Sequence, residues 1–296
     1  MHHHHDHEVN GRNLFLTVLL NIVITLSQVV GGVLSGSLAL LSDAVHNFSD
    51  VLALLIAYGA NRLAGRPDMP ESTFGYRRAE ILAALFNALV LIGVAIFLLV
   101  ESVRKLIHPE PVDSIWVIGL GLLSIVLNAA SVMLIAKDAR ESMNVKAVYL
   151  HLLTDVMTSV AVLGGGILIY FWGIDWIDPL ISAGIALYLF TASYDLVRES
   201  ARILMQFAPE GIDLESVAAS ITQEPLVVNV HHIHLWQLDE HRIHLEAHLD
   251  FAEDLPLSRV TELIESLEKR LEERFGITHS TFQCEYGRKD DKRLVV

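Results

Sequence analysis

The sequence predicts an α-helical membrane protein, six transmembrane helices followed by a small cytoplasmic α+β domain. Three observations carry that assignment. Six apolar stretches are each about 20 residues long, enough to cross a hydrocarbon core of ~30 Å. The whole chain is apolar: over 296 residues it is 52% hydrophobic and 19% charged, with a mean hydropathy of +0.45, where soluble proteins carry about 25% charged residues. After Ala208 the long apolar runs give way to short alternating and amphipathic segments. The chain therefore divides into a histidine-rich head at 1–12, a membrane domain at 13–207 and a C-terminal domain at 208–296.

The head, Met1-His2-His3-His4-His5-Asp6-His7-Glu8, reads either as a cloning tag or as a native metal-collecting leader. Exposed imidazoles bind zinc loosely in both cases. The first apolar stretch begins at Leu14 and exceeds the ~7–15 residues of a signal-peptide core, so it reads as a membrane span. The six spans run over 14–34, 38–60, 81–100, 115–136, 145–169 and 177–196. Basic residues gather in alternate loops: Arg62, Arg66, Arg77 and Arg78 after the second, Lys137, Arg140 and Lys146 after the fourth, Arg198 and Arg202 after the sixth. The opposite loops are short or acidic, with Asp175 and Asp178 between the fifth and sixth; Arg104 and Lys105 run mildly against the trend. This bias puts both termini of a multi-pass membrane protein in the cytoplasm. Gly31-Gly32, Gly36 and Gly164-Gly165-Gly166 allow either close helix approach or hinges. Asn21, Asn87 and Asn128, inside spans one, three and four, read as interhelical hydrogen-bonding residues.

Two spans carry charge at their centres. The second reads Ser42-Asp43-Ala44-Val45-His46-Asn47-Phe48-Ser49-Asp50 and the fifth His151-Leu152-Leu153-Thr154-Asp155. A charge at mid-membrane costs about 2.5–3.5 kcal/mol even on the mildest scale, so its presence points to function. His46 and Asp50, like His151 and Asp155, are four apart and share a helix face, with roughly 5–6 Å between Cβ atoms. His46 lies roughly 12 Å from the outer end of its span and Asp155 roughly 15 Å from the inner end of the other, at ~1.5 Å per residue. Both pairs thus fall at mid-membrane on oppositely directed helices, His46 level with Asp155 and Asp50 nearer His151. Two nitrogens and two oxygens around one point suit borderline-soft Zn²⁺, whereas calcium or magnesium prefers oxygen throughout and copper(I) prefers sulfur. Such ligands shed protons on binding, and imidazole titrates near pH 6.5, so exchange of a divalent ion for protons follows from the same residues. Asp43 shares the face one turn nearer the outside; it either guides the ion outward or holds Ser and Asn neighbours by hydrogen bonds.

From Ala208, 213–222 reads as a short helix, 227–238 and 242–251 as strands around Asp239-Glu240-His241, 257–275 as an amphipathic helix and 278–286 as a last strand. In the second strand Ile243, Leu245, Ala247, Leu249 and Phe251 alternate with His244, Glu246, His248 and Asp250. The α-β-β-α-β order gives a small α+β domain with helices on one sheet face. Strand alternation puts His231 on the side of Ile233 and Leu235 unless a bulge intervenes. The single cysteine, Cys284, excludes a disulfide framework and a cysteine metal cage; its alternation with Phe282 and Tyr286 reads as a buried structural thiol. The formal charge is −14, with 18 acidic and 9 basic residues from Ala208 on. That balance argues against nucleic acid as a partner.

These residues also carry a family resemblance. The run from Gly36 to Asp50, Phe74-Gly75-Tyr76-Arg77-Arg78-Ala79-Glu80, His151 to Asp155 and Val230-His231-His232-Ile233-His234-Leu235-Trp236 resemble the cation diffusion facilitator family. They are most similar to its zinc-selective branch, which includes bacterial zinc/cobalt/cadmium-resistance exporters. The resemblance covers essentially the whole chain. It implies a cytoplasmic ferredoxin-like domain, a homodimer, and Zn²⁺/H⁺ antiport out of the cytoplasm with His46, Asp50, His151 and Asp155 as the transported-ion site; Cd²⁺ and Co²⁺ are further substrates. In the tail His231, His248 and Glu285 match positions where relatives bind zinc, with His232, His234, His244 and His279 as competing ligands and Gln283 where some relatives have histidine. The loop at 68–76 has no histidine, so the further site that some relatives build there is missing or weak here. Two other classes, an intramembrane metalloenzyme and a membrane metal sensor, are alternatives. The first calls for His-Glu-x-x-His or several histidine boxes, which the sequence lacks, and the second leaves the mid-membrane pairs unexplained.

Overall fold

The computed structural model describes residues 11–64, 69–136, 143–239 and 242–295. Head residues 1–10, Arg66, Asp68, Lys137, Arg140, Glu240 and His241 lie outside them. Six long helices follow in order: α1 (Gly11–Ser35), α2 (Leu38–Ala64), α3 (Ala79–Ile107), α4 (Ser114–Ile135), α5 (Met143–Trp172) and α6 (Ile177–Leu204). Among the described residues α1, α3, α4, α5 and α6 are long and apolar enough to cross a membrane. The remaining long helix, α2, has its apolar run interrupted by Asp43, His46 and Asp50. The multi-pass helical architecture expected from the sequence is thus present. Helices α3 and α6 run past their apolar stretches and carry Arg104, Lys105 and Arg202 in their last turns, where a cation offsets the negative end of the helix dipole. Lys105 also donates to the carbonyl of Gly36 at 2.8 Å, which gives this exception to the loop-charge bias a local purpose.

The chain divides into two compact units, Met1–Ala57 with Phe86–Leu196, and Tyr58–Leu85 with Val197–Val296. In the first, Leu40, Ala95, Val117, Val162 and Ile185 form a shared apolar core drawn from α2, α3, α4, α5 and α6. Glycines set the spacing of these helices. A side chain at Gly31 would run into Leu120, at Gly165 into Ile181, and at Gly166 into Val117. At Gly121 the obstacle is backbone, since an added Cβ would sit 3.2 Å from the Cα of Leu163 in α5. Gly36 instead makes the turn between α1 and α2 at φ +70°, a conformation that favours glycine. Asn128 donates to Ser124 in its own helix at 3.4 Å, in place of the interhelical bond expected of it.

The second unit holds α7 (Leu214–Ile221), β1 (Val227–Gln237), β2 (Ile243–Phe251), α8 (Leu257–Phe275) and β3 (Ile277–Glu285). This is the expected α-β-β-α-β order. The Asp213 carboxylate caps α7 by accepting from the Ser216 N–H at 2.9 Å, and Gly276 at φ +68° ends α8. The sheet order is β1-β2-β3, with β1 and β2 antiparallel and β2 and β3 parallel. Leu245, Ala247 and Leu249 meet Val217 and Ile221 of α7 and Leu263, Leu267 and Leu271 of α8 in one core. A bulge interrupts β1 between His231 and His234, with His232 at φ +52°. One expectation fails here: Cys284 is exposed. It pairs with Leu249, but it sits near the end of β3, the last strand in the sheet order, and the core does not reach it.

Filling the α4–α5 contact tests the packing. Replacing Gly121 by Leu pushes against backbone that cannot rotate away, with an expected cost of about 1–3 kcal/mol. It should lower the thermal midpoint of the purified protein in detergent. Gly119→Ala, whose added Cβ meets nothing within 4 Å, should show no loss.

Candidate metal centre

The four-residue spacing places His46 and Asp50 on one face of α2 and His151 and Asp155 on one face of α5. The fold turns these faces toward each other. His46 Nε2 lies 3.3 Å from Asp155 Oδ1 and His151 Nε2 lies 3.0 Å from Asp50 Oδ2. Within each helix the His–Asp separation is 3.9 Å. One ligand atom from each residue can be chosen so that all lie within 4.8 Å of one another. Tetrahedral zinc with ligands at about 2.0–2.2 Å spaces them about 3.3–3.6 Å apart, so small side-chain adjustments suffice for one ion to touch all four. His46 Nε2, Asp50 Oδ2 and both Asp155 oxygens are buried with no hydrogen-bond partner of normal geometry. Unpaired polar atoms at such depth are costly unless something binds them. The set is asymmetric: the Asp155 side chain is wholly buried and that of His46 nearly so, whereas 38% of the His151 side chain is exposed.

Around this group stand further residues, of which only Asp43 was legible in the sequence. Tyr188 of α6 stands edge-on to His46 with ring centroids 6.0 Å apart. Asp43, fully buried, accepts from Gln28 Nε2, from Thr158 Oγ1 at 3.0 Å and from Ser159 Oγ at 3.4 Å. Gln28 also donates to Ser124 Oγ at 3.2 Å and accepts from Asn47 at 3.0 Å. Asp43 therefore ties α2 to α1 and α5 through hydroxyl and amide partners, one turn from the His/Asp set. At the start of α2, Asp178 of α6 accepts from the Ser37 hydroxyl, from the Leu38 N–H at 2.7 Å and from the Ala39 N–H. A neighbouring helix thus caps α2, satisfying donors left open at a helix start.

A second group lies in the C-terminal unit. The bulge at His232 turns His231 out of the Ile233–Leu235 side, and it pairs with His248 across β1–β2. Ligand atoms of His231, His248, Glu285 and Asp290 lie within 4.8 Å of one another. His248 Nδ1 is 3.1 Å from Glu285 Oε1, and His231 Nε2 is 3.6 Å from Glu285 Oε2 and 3.5 Å from Asp290 Oδ2. The donor set fits zinc, and His248 Nδ1 is buried with no hydrogen-bond partner of normal geometry. Asp290 lies beyond the last strand, where periodicity gives no signal. Of the competing histidines, His234 is exposed and His244 packs against His279 and Trp236. His232 stands edge-on to His248 with ring centroids 4.8 Å apart without joining the set. Gln283 donates to Glu285 at 2.6 Å. Burial, against the pull of Glu285, holds the His248 imidazole below its usual pKa. A hydrogen bond from Lys292 pulls Asp290 down to about 2.

The chain matches two family descriptions: "Cation efflux transmembrane domain" over residues 14–205 and "Cation efflux protein, cytoplasmic domain" over 209–286. It is 37% identical over 284 residues to the metal cation efflux system protein CzcD of Cupriavidus metallidurans, covering 96% of this chain and 89% of the relative. It is 32% identical over 287 residues to the cadmium, cobalt and zinc/H(+)-K(+) antiporter of Bacillus subtilis, covering 96% and 92%. To the zinc transporter ZitB of Escherichia coli it is 31% identical over 295 residues, covering 97% and 93%.

The cap on α2 yields a stability test. Asp178→Ala strips the acceptor from three donors, one hydroxyl and two backbone N–H groups. Hydrogen bonds to a charged group contribute about 1.5–3 kcal/mol each, so the thermal midpoint should fall. Asp178→Asn, which keeps one acceptor oxygen, should lose less. Equal midpoints for all three proteins would refute the cap.

Proposed function

The chain belongs to the cation efflux family, and on that premise we propose that it is a secondary transporter exporting Zn²⁺ from the cytoplasm in exchange for protons. Cd²⁺ and Co²⁺ are further substrates on this reading, in line with the names of the relatives. The observation that carries it is the convergence of His46, Asp50, His151 and Asp155 from two helices onto one buried point. These four side chains are the transported-ion site.

The chemistry follows from the donors. Two imidazoles and two carboxylates bind a divalent ion once deprotonated, and taking up protons releases it, so one set of atoms couples the two flows. The ion arrives on the Asp50–His151 side, where the group is partly exposed, and passes toward His46 and Asp155. The loop charges make that side cytoplasmic and leave both termini inside. Beyond His46, the packed Asp43–Gln28–Ser124–Ser159 set closes the outward path, and rocking of the helices against one another opens it. Protonation of the four ligands then favours release.

The C-terminal unit is the cytoplasmic domain of this reading and joins two copies into a homodimer. His231, His248 and Glu285, with Asp290, would hold a zinc ion there, tying together β1, β2, β3 and the C-terminal segment. Zinc on this group reports the cytoplasmic load by tightening the dimer. The family and the named relatives are efflux proteins and transporters.

Reconstituted vesicles decide between this reading and its rivals. Under an imposed pH gradient the wild type should move Zn²⁺, collapse of the gradient should slow it, and Asp155→Ala should fall to the leak rate of empty vesicles. Metal flux insensitive to Asp155 would refute the transport site. A variant with His231, His248 and Glu285 all changed to Ala should keep transport and lose its dependence on zinc load; unchanged zinc dependence would end the sensing part.

A further inference from the structure

The acidic side of the cytoplasmic group already holds a cation from the chain itself. Lys292 Nζ lies 2.8 Å from Asp250 Oδ1, 3.3 Å from Glu285 Oε2 and 2.5 Å from Asp290 Oδ1, and 3.4 Å from His231 Nε2. Three of these four neighbours belong to the set that could hold a metal. The ammonium is delivered by a segment that the cytoplasmic-domain match, ending at residue 286, does not include. Backbone aims it: the N–H groups of His232 and Ile233, at the bulge of β1, donate to the carbonyls of Arg293 at 3.2 Å and Leu294 at 2.8 Å. Leu294 packs against the core of the domain.

From this geometry we infer that Lys292 is a tethered competitor for the cytoplasmic metal group. Zinc enters by expelling the ammonium, which loosens the chain beyond Asp290 while Asp290 itself stays on the ion. The inference rests on the reading that His231, His248, Glu285 and Asp290 bind zinc.

Space is the first reason. Zinc bonds of about 2.0–2.2 Å draw the ligands around the ion, and an ammonium hydrogen-bonded to the same Glu285 and Asp290 carboxylates and 3.4 Å from His231 Nε2 cannot keep its place. Charge is the second. Asp250, Glu285 and Asp290 face Lys292 and Arg288, a net of minus one with both histidines neutral. A divalent ion added beside Lys292 makes the group plus one; with Lys292 gone, the group is neutral. Like charges packed closely oppose each other strongly in a partly buried setting. Departure of Lys292 also removes one of the anchors of the chain beyond Asp290, leaving the backbone bonds to Arg293 and Leu294, so metal loading is read out as greater motion of the chain end. The group then answers to a higher zinc level than its donor set alone would set.

The test uses the full-length protein in detergent with Asp155→Ala throughout, so that the intramembrane group does not contribute. Zn²⁺ affinity is measured by competition with a chromogenic chelator. Lys292→Met, which keeps the apolar stem and drops the charge, should bind at least about tenfold more tightly, because ligands freed from a competing partner no longer divide their population. Lys292→Arg, still a cation, should stay near the parent protein. A spin label at Val295→Cys, with Cys284→Ser, should gain mobility as Zn²⁺ saturates the group. Loss of binding on His231→Ala, with equal affinities for the parent protein and its Lys292→Met variant, would overturn the competition and leave the metal group standing. A label unmoved at saturation would overturn the release. Unchanged binding on His231→Ala would remove the metal group, and this inference with it.

Discussion

Carboxylates and imidazoles buried among apolar helices must find partners, and that requirement organises the membrane part of this protein. Lipid offers no hydrogen bonds, so each polar atom there is satisfied by the chain or by what the chain binds. Asp43 and Asp178 are satisfied by the chain, with hydroxyl, amide and backbone donors from neighbouring helices. His46, Asp50, His151 and Asp155 meet chiefly each other, at separations of 3.0–3.9 Å. The contrast between the two kinds of buried carboxylate separates scaffold from site more sharply than burial does.

That scaffold fixes α2 at two heights. Asp178 grips its first turn, and Asp43 ties its middle to α1 and α5. Between and beyond these anchors α2 can present His46 and Asp50 in one register only, since a slip by one residue would swing both away by about 100°. Glycines do the same for α5: Gly121 lets α4 lie against the backbone at Leu163, and Gly166 admits Val117. Backbone contact of this kind is rigid, which suits elements that must move as bodies rather than bend.

The four-residue spacing of each His–Asp pair and the lengths of the apolar runs made the helices and the intramembrane group legible in the sequence, because helix period and bilayer thickness are local rules. What stayed hidden depends on tertiary detail. Periodicity put His231 on the apolar side of β1; a bulge at His232, a residue with no glycine-like licence for φ +52°, moved it. Asp290 and Lys292 follow the last strand, where no pattern predicts position. Cys284 obeyed alternation in its pairing with Leu249 and yet ended exposed, since alternation gives a side of the sheet and not how far the covering layer extends. Asp178 read as a loop acid and turned out to cap another helix.

The two metal-type groups use the same donors and differ in how their negative charge is balanced. In the membrane, two imidazoles face two carboxylates, and no lysine or arginine pairs with the set among the described residues. An ammonium held there would obstruct the passage that an ion must make. In the C-terminal unit, three carboxylates are met by Lys292 and Arg288, so the chain itself supplies the opposing charge. A site built for transit needs ligands that exchange one mobile ion for protons. On the sensing role proposed for the C-terminal group, a resident cation is an advantage, because metal has to displace it before loading.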